Sequence, residues 1–199
     1  MSPHIIYLNM YRIIIFASGS GTNAENIVKY FKNSRLASVD QIISNNAKAG
    51  VLDRAKRLGI PSKICSKKEM ASESFIDFLK NEADIIILAG FLLKIPDSII
   101  EAFPDSIINI HPALLPKYGG KGMYGKHVHE AVVANSESET GITIHYVNEN
   151  YDEGTIIFQT SVKLDENDKA DDVAVKIHKL EQENFPQVIE GILKARNEG

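Results

Sequence analysis

Short runs of branched apolar residues, each followed by a polar or glycine-bearing break and then a segment of helical period, set the rhythm of the first half of the chain. Residues 12–17, Arg-Ile-Ile-Ile-Phe-Ala, are apolar without alternation, as expected of a strand buried on both faces. Residues 39–44, 85–88 and 107–110 share that character, and 61–64 is a shorter extended piece. Between them, residues 23–31, Gly50–Leu58, 68–81 and 97–103 read as helices, and 68–81 sets Phe75, Phe78 and Leu79 on one face. Strand and helix in alternation predict a parallel sheet with helices on both faces, a Rossmann-like α/β domain.

The second half has another texture. Residues 112–125 form a long loop with four glycines and two prolines, and 126–135 reads as a helix. Residues 141–147 and 155–163 read as strands joined by the polar turn 148–154, which predicts an antiparallel pair within a mostly parallel twisted sheet. Residues 170–194 read as one C-terminal helix that Pro186 should kink or divide. No repeat, biased segment or linker interrupts the pattern, so one domain is expected over residues 10–199. Met10-Tyr11-Arg12 before the first strand looks like a natural start, so residues 1–9 are expected to be a disordered extension with no part in the fold.

Composition narrows the setting. With 199 residues, 44% of them hydrophobic, the chain can build one sizeable core. A formal net charge of −4 does not suggest a nucleic-acid-binding surface. Cys65 is the single cysteine, so no intramolecular disulfide forms, which fits a reducing compartment. No apolar run reaches the ~18 residues that span a bilayer, and the first residues lack the basic n-region of a signal peptide. A cytoplasmic protein with small-molecule substrates is expected, a monomer or homodimer, with neither nucleic acid nor membrane as partner.

Candidate chemistry lies at the strand ends. In Ile107-Ile108-Asn109-Ile110-His111-Pro112, residues two apart share a face, so Asn109 and His111 project together from the end of a strand. An amide donor beside an imidazole suits a developing oxyanion and a moving proton, although two polar residues at a strand end can also simply meet water. Ser18-Gly19-Ser20-Gly21-Thr22-Asn23 follows the first strand and opens the first helix, where free N–H groups and the helix dipole attract anions. Gly19–Ala24 also fits the looser dinucleotide pattern G-x-G-x-x-A. The acidic residue that would hold a ribose after strand two is replaced by Ser44-Asn45-Asn46, which favours a simple phosphate ester over a dinucleotide. A tight turn with no ligand is the plain alternative.

Asp152 lies in a turn rich in Asn, Asp and Gly, which by itself is an ordinary solvated turn. Beside Asn109 and His111 it would complete an acid/base and oxyanion set and raise the histidine's pKa. His127-Val128-His129 invites a metal, but residues two apart on a helix do not face each other and no H-E-x-x-H or cysteine partner is present, so no metal is expected. His145, on a strand, reads as a core or surface residue. Lys117, Lys121 and Lys126 give the long loop positive charge, either to cover an anionic substrate or as a solvated segment.

With these pieces placed, residues 11–191 closely resemble the phosphoribosylglycinamide formyltransferases, the glycinamide ribonucleotide transformylases among the formyl-folate-dependent enzymes. The markers are Ala17-Ser18-Gly19-Ser20-Gly21-Thr22-Asn23, Leu88-Ala89-Gly90-Phe91, Asn109-Ile110-His111-Pro112-Ala113-Leu114-Leu115-Pro116-Lys117-Tyr118, and Gly141-Ile142-Thr143-Ile144-His145-Tyr146 leading to Asp152. The resemblance implies transfer of the formyl group of 10-formyltetrahydrofolate to the amine of glycinamide ribonucleotide. The products are formylglycinamide ribonucleotide and tetrahydrofolate, in de novo purine biosynthesis. It implies direct attack by the amine, with Asn109 holding the oxyanion, His111 stabilising it and passing a proton, and Asp152 orienting His111. Ser20, Gly21, Thr22 and Asn23 correspond to the substrate-phosphate loop and Glu181 to the acid that meets the ribose. The folate would sit against Phe91, Leu92, Leu93, Lys94 and Ile95 and near Asn109, with Lys68 near its glutamate tail. The loop from Tyr118 to Lys126 looks longer and richer in glycine than the family pattern, and Leu93 stands where a basic residue is common, with Lys94 next. Two other activities remain open at this point: hydrolysis of 10-formyltetrahydrofolate by the same three residues, and a non-catalytic nucleotide-binding module. Methionyl-tRNA and sugar formyltransferases would need further C-terminal residues.

Overall fold

Isoleucine-rich strands with both faces covered build the centre of the molecule. The structure, a computed structural model, describes residues 10–198. The expected extension at 1–9 lies outside the described residues. The central strand β1 (Tyr11–Phe16) shows why the run carries no alternation: Ile13 and Ile15 pack into one hydrophobic layer, Ile14 and Phe16 into the other. One layer is roofed by α1 (Thr22–Phe31), α2 (Gly50–Leu58) and α7 (Ala170–Glu198). The other is roofed by α3 (Lys67–Met70), α4 (Glu73–Glu82) and α5 (Asp97–Ala102).

The seven strands lie in the order β3-β2-β1-β4-β5-β6-β7. β2 (Ala37–Ser44), β3 (Ser62–Ile64), β4 (Ile85–Leu88) and β5 (Ile107–His111) run parallel to β1 within the sheet. The chain steps outward from β1 to β2 and β3, then returns to β4 on the other side of β1. That reversal opens a crevice at the carboxyl ends of β1 and β4, the place where open α/β sheets bind ligands. β6 (Glu139–Tyr146) and β7 (Ile156–Lys163) form the expected antiparallel pair, and β6 also runs antiparallel to β5. No helix or strand falls between His111 and α6 (Lys126–Ala134), so the 112–125 stretch is a loop as expected.

Two helices differ from expectation. The amphipathic stretch 68–81 is divided into α3 and α4. Ser66 and Glu69 form a capping box on α3, and Ser72 accepts the Phe75 N–H to start α4. α7 runs unbroken through Pro186, which was expected to kink or divide it. The ring of Pro186 leaves the Gln182 carbonyl without its helical N–H, and the side-chain amide of Asn26 on α1 donates to that carbonyl at 2.8 Å. The lost bond is thus replaced from the neighbouring helix.

Candidate active site

The β1–α1 turn is built so that backbone, not side chains, faces the crevice. Gly21 has φ +78, and a Cβ there would lie 2.4 Å from Val51 Cγ2 of α2, so only glycine fits. No side chain caps α1, which leaves its first-turn N–H groups to meet a ligand. Arg54 Nε donates to the Ser20 carbonyl at 2.7 Å and its guanidinium also pairs with Glu25, holding the turn from behind. The Lys29 and Arg54 partners keep the Glu25 carboxyl at a pKa of about 2, so it stays charged. Ser18 Oγ donates to Asn45 Oδ1 at 2.5 Å and accepts the Leu92 N–H at 2.9 Å, which ties this turn to the one after β4.

Facing it across the crevice is a polar cluster at the carboxyl end of β5. Asn109 and His111 share a face of the strand, as their spacing predicts, and the antiparallel register sets His145 opposite Asn109 and Thr143 opposite His111. The His145 ring is 2% exposed. Its Nδ1 lies 2.8 Å from the Tyr146 carbonyl, which can only accept, so Nδ1 carries the proton. Nε2 lies 3.1 Å from Asn109 Nδ2 and 3.7 Å from Asp152 Oδ1, so the ring meets both the amide and the acid, and an N–H of Asn109 remains for the cavity. Thr143 accepts the Leu115 N–H at 3.0 Å and donates to the Ala113 carbonyl at 2.7 Å, which anchors the loop leaving His111.

The His111 ring, 4% exposed, is gripped at both nitrogens. Nε2 donates to the Tyr118 carbonyl at 2.8 Å, and Nδ1 lies 3.5 Å from Asp152 Oδ2. Asp152 also accepts the Gly120 N–H at 2.9 Å. The long loop therefore supplies one group to the histidine and one to the acid. Both Tyr118 (φ 56) and Asp152 (φ 57) are in the left-handed region, a local backbone cost sustained by these contacts.

Electrostatics corrects one expectation. Burial pushes the His111 pKa below the ordinary histidine value, and this outweighs the upward pull of Asp152 and of the Tyr118 carbonyl; His145 pushes it slightly further down. Asp152 does act in the expected direction, but the net shift is downward. The ring is therefore a neutral base at neutral pH. Burial also acts on Asp152, raising its pKa, but the His145 ring, the His111 charge and the Gly120 N–H together hold it below the usual carboxylate range.

Both ends meet in one cavity of about 650 Å³. Ser20, Gly21, Thr22, Asn23, Asn109, His111, Asp152 and Glu181 all line it, together with Phe91 and Leu92 of the segment after β4. Glu181 accepts the Asn23 Nδ2 proton at 2.9 Å, and Gln182 Nε2 donates back to Asn23 Oδ1 at 2.7 Å, so α1 and α7 share one polar seam. The other expected positions are placed elsewhere. Ile95 is buried in the second hydrophobic layer, Leu93 packs against that layer, and Lys94 pairs with Asp97 at the surface. Lys68 is exposed on α3 and does not line the cavity.

The cavity is also lined by the Gly120–Gly125 stretch of the loop, where Lys121 suggests a substrate cover from sequence, by His129 of α6, which the sequence offers only as a metal candidate, and by His178 of α7, which has no role in the sequence reading and whose pKa is raised by its hydrogen bond to Glu181. His145 lies behind the wall. The alternation of Thr143 and His145 carried a signal for it, but only the β5–β6 register turns that alternation into a contact. Among the described residues no group of three or more His, Cys, Asp or Glu side chains is arranged to hold a metal ion, and no helix is long and apolar enough to cross a membrane.

Fold and cavity define a doubly wound α/β protein with a buried polar cluster of Asn109, His111 and Asp152 beside its switch point. Residues 11–189 match the family described as Formyl transferase, and the chain belongs to that family. Phosphoribosylglycinamide formyltransferase of Bacillus subtilis is 36% identical over 197 residues, covering 96% of this chain and 98% of the relative. The chloroplastic phosphoribosylglycinamide formyltransferase of Vigna unguiculata is also 36% identical, and there this chain spans 62% of the relative's length. The crystal structure of glycinamide ribonucleotide transformylase 1 from Geobacillus kaustophilus superimposes with a TM-score of 0.83 at 34% identity, covering 92% of this chain and 99% of that one.

Proposed function

We propose that residues 10–199 act as one formyltransferase domain that moves the formyl group of 10-formyltetrahydrofolate to the amine of glycinamide ribonucleotide, a step of purine biosynthesis. The observation that carries this reading is that one cavity holds the uncapped α1 N-terminus at one end and the Asn109–His111–Asp152 cluster at the other. A phosphate at α1 and a ribose at Glu181 direct the rest of the ribonucleotide toward His111.

The amine nitrogen attacks the formyl carbon, and the C–N bond forms as the carbonyl oxygen takes up charge. The free N–H of Asn109 donates to that oxygen. Neutral His111 takes up at Nδ1, the nitrogen that does not donate to Tyr118, the proton that the amine must lose, with Asp152 beside it stabilising the imidazolium. The same proton then reaches folate N10 as its bond to the formyl carbon breaks, so the histidine returns neutral. No metal is required, because the donor is already activated. The folate ring packs on Phe91 and Leu92, within the 91–95 segment, and Lys68 meets the glutamate tail further out.

The test is formyl loss from 10-formyltetrahydrofolate with and without glycinamide ribonucleotide, with the product identified by mass. Loss that depends on the ribonucleotide and yields formylglycinamide ribonucleotide is expected. Equal loss without the ribonucleotide would make the protein a hydrolase, and no loss by folded protein would leave a binding module.

A further inference from the structure

His129 is a histidine without an assignment. It sits on α6 with Val128 and Val132, the three buried positions of that helix, and is 7% exposed. Its Nδ1 is, among the described residues, the one buried side-chain nitrogen or oxygen with no hydrogen-bond partner. A buried polar atom left unpaired lowers stability, so a site that keeps one invites a functional reason. Two valines flank the same helix face, and an apolar side chain would fill the place without that loss.

The position supplies the reason. His129 lines the cavity together with Glu181 and His111. Burial lowers its pKa, Glu181 pulls it up and a protonated His111 would push it down, so the ring senses both of these cavity-lining groups. It is a neutral imidazole, with one donor and one acceptor. The groups at the two ends of the cavity have other capacities: the α1 N-terminus only donates, and the Glu181 carboxylate only accepts. A ribonucleotide with its phosphate at α1 and its ribose hydroxyls at Glu181 has one polar group left before its amine reaches His111, the amide of the glycinamide arm. An amide presents an N–H and a C=O, and either is served by a neutral imidazole.

We propose that His129 binds the glycinamide amide and so aligns the amine with His111. The inference rests on the proposed function and goes beyond it by naming a substrate contact on α6.

Calorimetry on the full chain tests it, with glycinamide ribonucleotide and ribose 5-phosphate as paired probes. His129→Leu removes the hydrogen-bonding group at similar volume, and His129→Gln keeps an amide nitrogen close to the position of Nε2, the ring nitrogen that is not sealed from the cavity. The Leu variant is expected to bind glycinamide ribonucleotide about tenfold more weakly while holding ribose 5-phosphate as wild type does. Its KM for the ribonucleotide rises with little change in the KM for folate, and His129→Gln recovers part of the affinity. An unchanged ratio of the two affinities in the Leu variant, or in His129→Val if Leu does not fold, overturns the role of His129 alone. Failure of the wild-type chain to bind glycinamide ribonucleotide overturns the proposed function, and this inference with it.

Discussion

Asn109 and His145 face each other across the antiparallel β5–β6 pair, and their side chains meet at 3.1 Å. The amide that is proposed to hold the oxyanion is thus aimed by a residue from the next strand, whose own ring is fixed by the Tyr146 carbonyl. Asn109→Ala should reduce kcat by about 10²–10³, the range for one oxyanion donor. His145→Leu keeps the amide but releases its aim, and a loss of about tenfold is expected, with both KM values near wild type. Steady-state kinetics on the two variants checks this order, and equal losses would mean that His145 does more than position.

Burial makes His111 a weaker base than an ordinary histidine. The acid limb of kcat/KM should therefore fall below the usual histidine pKa of 6.5, since a lower pH is needed to protonate the ring. Asp152 pulls that pKa upward, so Asp152→Asn should move the limb to still lower pH while reducing the rate. A pH–rate profile of wild type and variant measures both, and a shift of the limb to higher pH in the variant would contradict the assignment.

The same burial acts on stability. His111 and His129 have folded-state pKa values below the ordinary 6.5, so the unfolded chain binds protons first as the pH falls. The stability of the fold with both rings neutral is fully present above that value and declines as the pH falls through the folded-state values. Melting temperature followed from pH 8 to pH 5 (a range chosen about the ordinary histidine pKa) should decline on the acid side. His129→Leu should flatten that decline, whereas a slope identical to wild type would show that His129 does not titrate with unfolding.

Gly21→Ala places a methyl group 2.4 Å from Val51 at a φ of +78, so the turn must move. The N–H groups of α1 then lose their common direction. A rise of about tenfold or more in the KM for the ribonucleotide is expected, with the folate KM largely kept, since a phosphate at a helix N-terminus depends on that geometry. Equal losses for both substrates would place the disturbance beyond the turn.

The sequence carried what is local. The unalternating isoleucine runs marked the parallel strands, the bounds of α2 were read as Gly50–Leu58, and the two-residue spacing of Asn109 and His111 gave their shared face. What escaped depends on partners distant along the chain. His145 reads as ordinary because its meaning lies in strand register, and His129 reads only as a metal candidate because nothing nearby in sequence points to Glu181. The division at Ser72 was legible in principle as a cap, but the apolar period of 68–81 continues across it and hides the break. The segment 91–95 reads as one unit in sequence, whereas its turn sends Phe91 and Leu92 to the cavity and Ile95 to the core.

The Asn26 amide on the Gln182 carbonyl makes Pro186 and Asn26 a coupled pair, although they are far apart in the chain. A proline in mid-helix is normally a defect to be removed; here its removal would give the helix back its own N–H and leave the asparagine amide without an acceptor. The two positions therefore have a shared grammar. In a lineage of related chains, an asparagine here and a proline there should come and go together, and a covariance of that kind would mark the α1–α7 seam beside the proposed ribonucleotide site as something inherited whole.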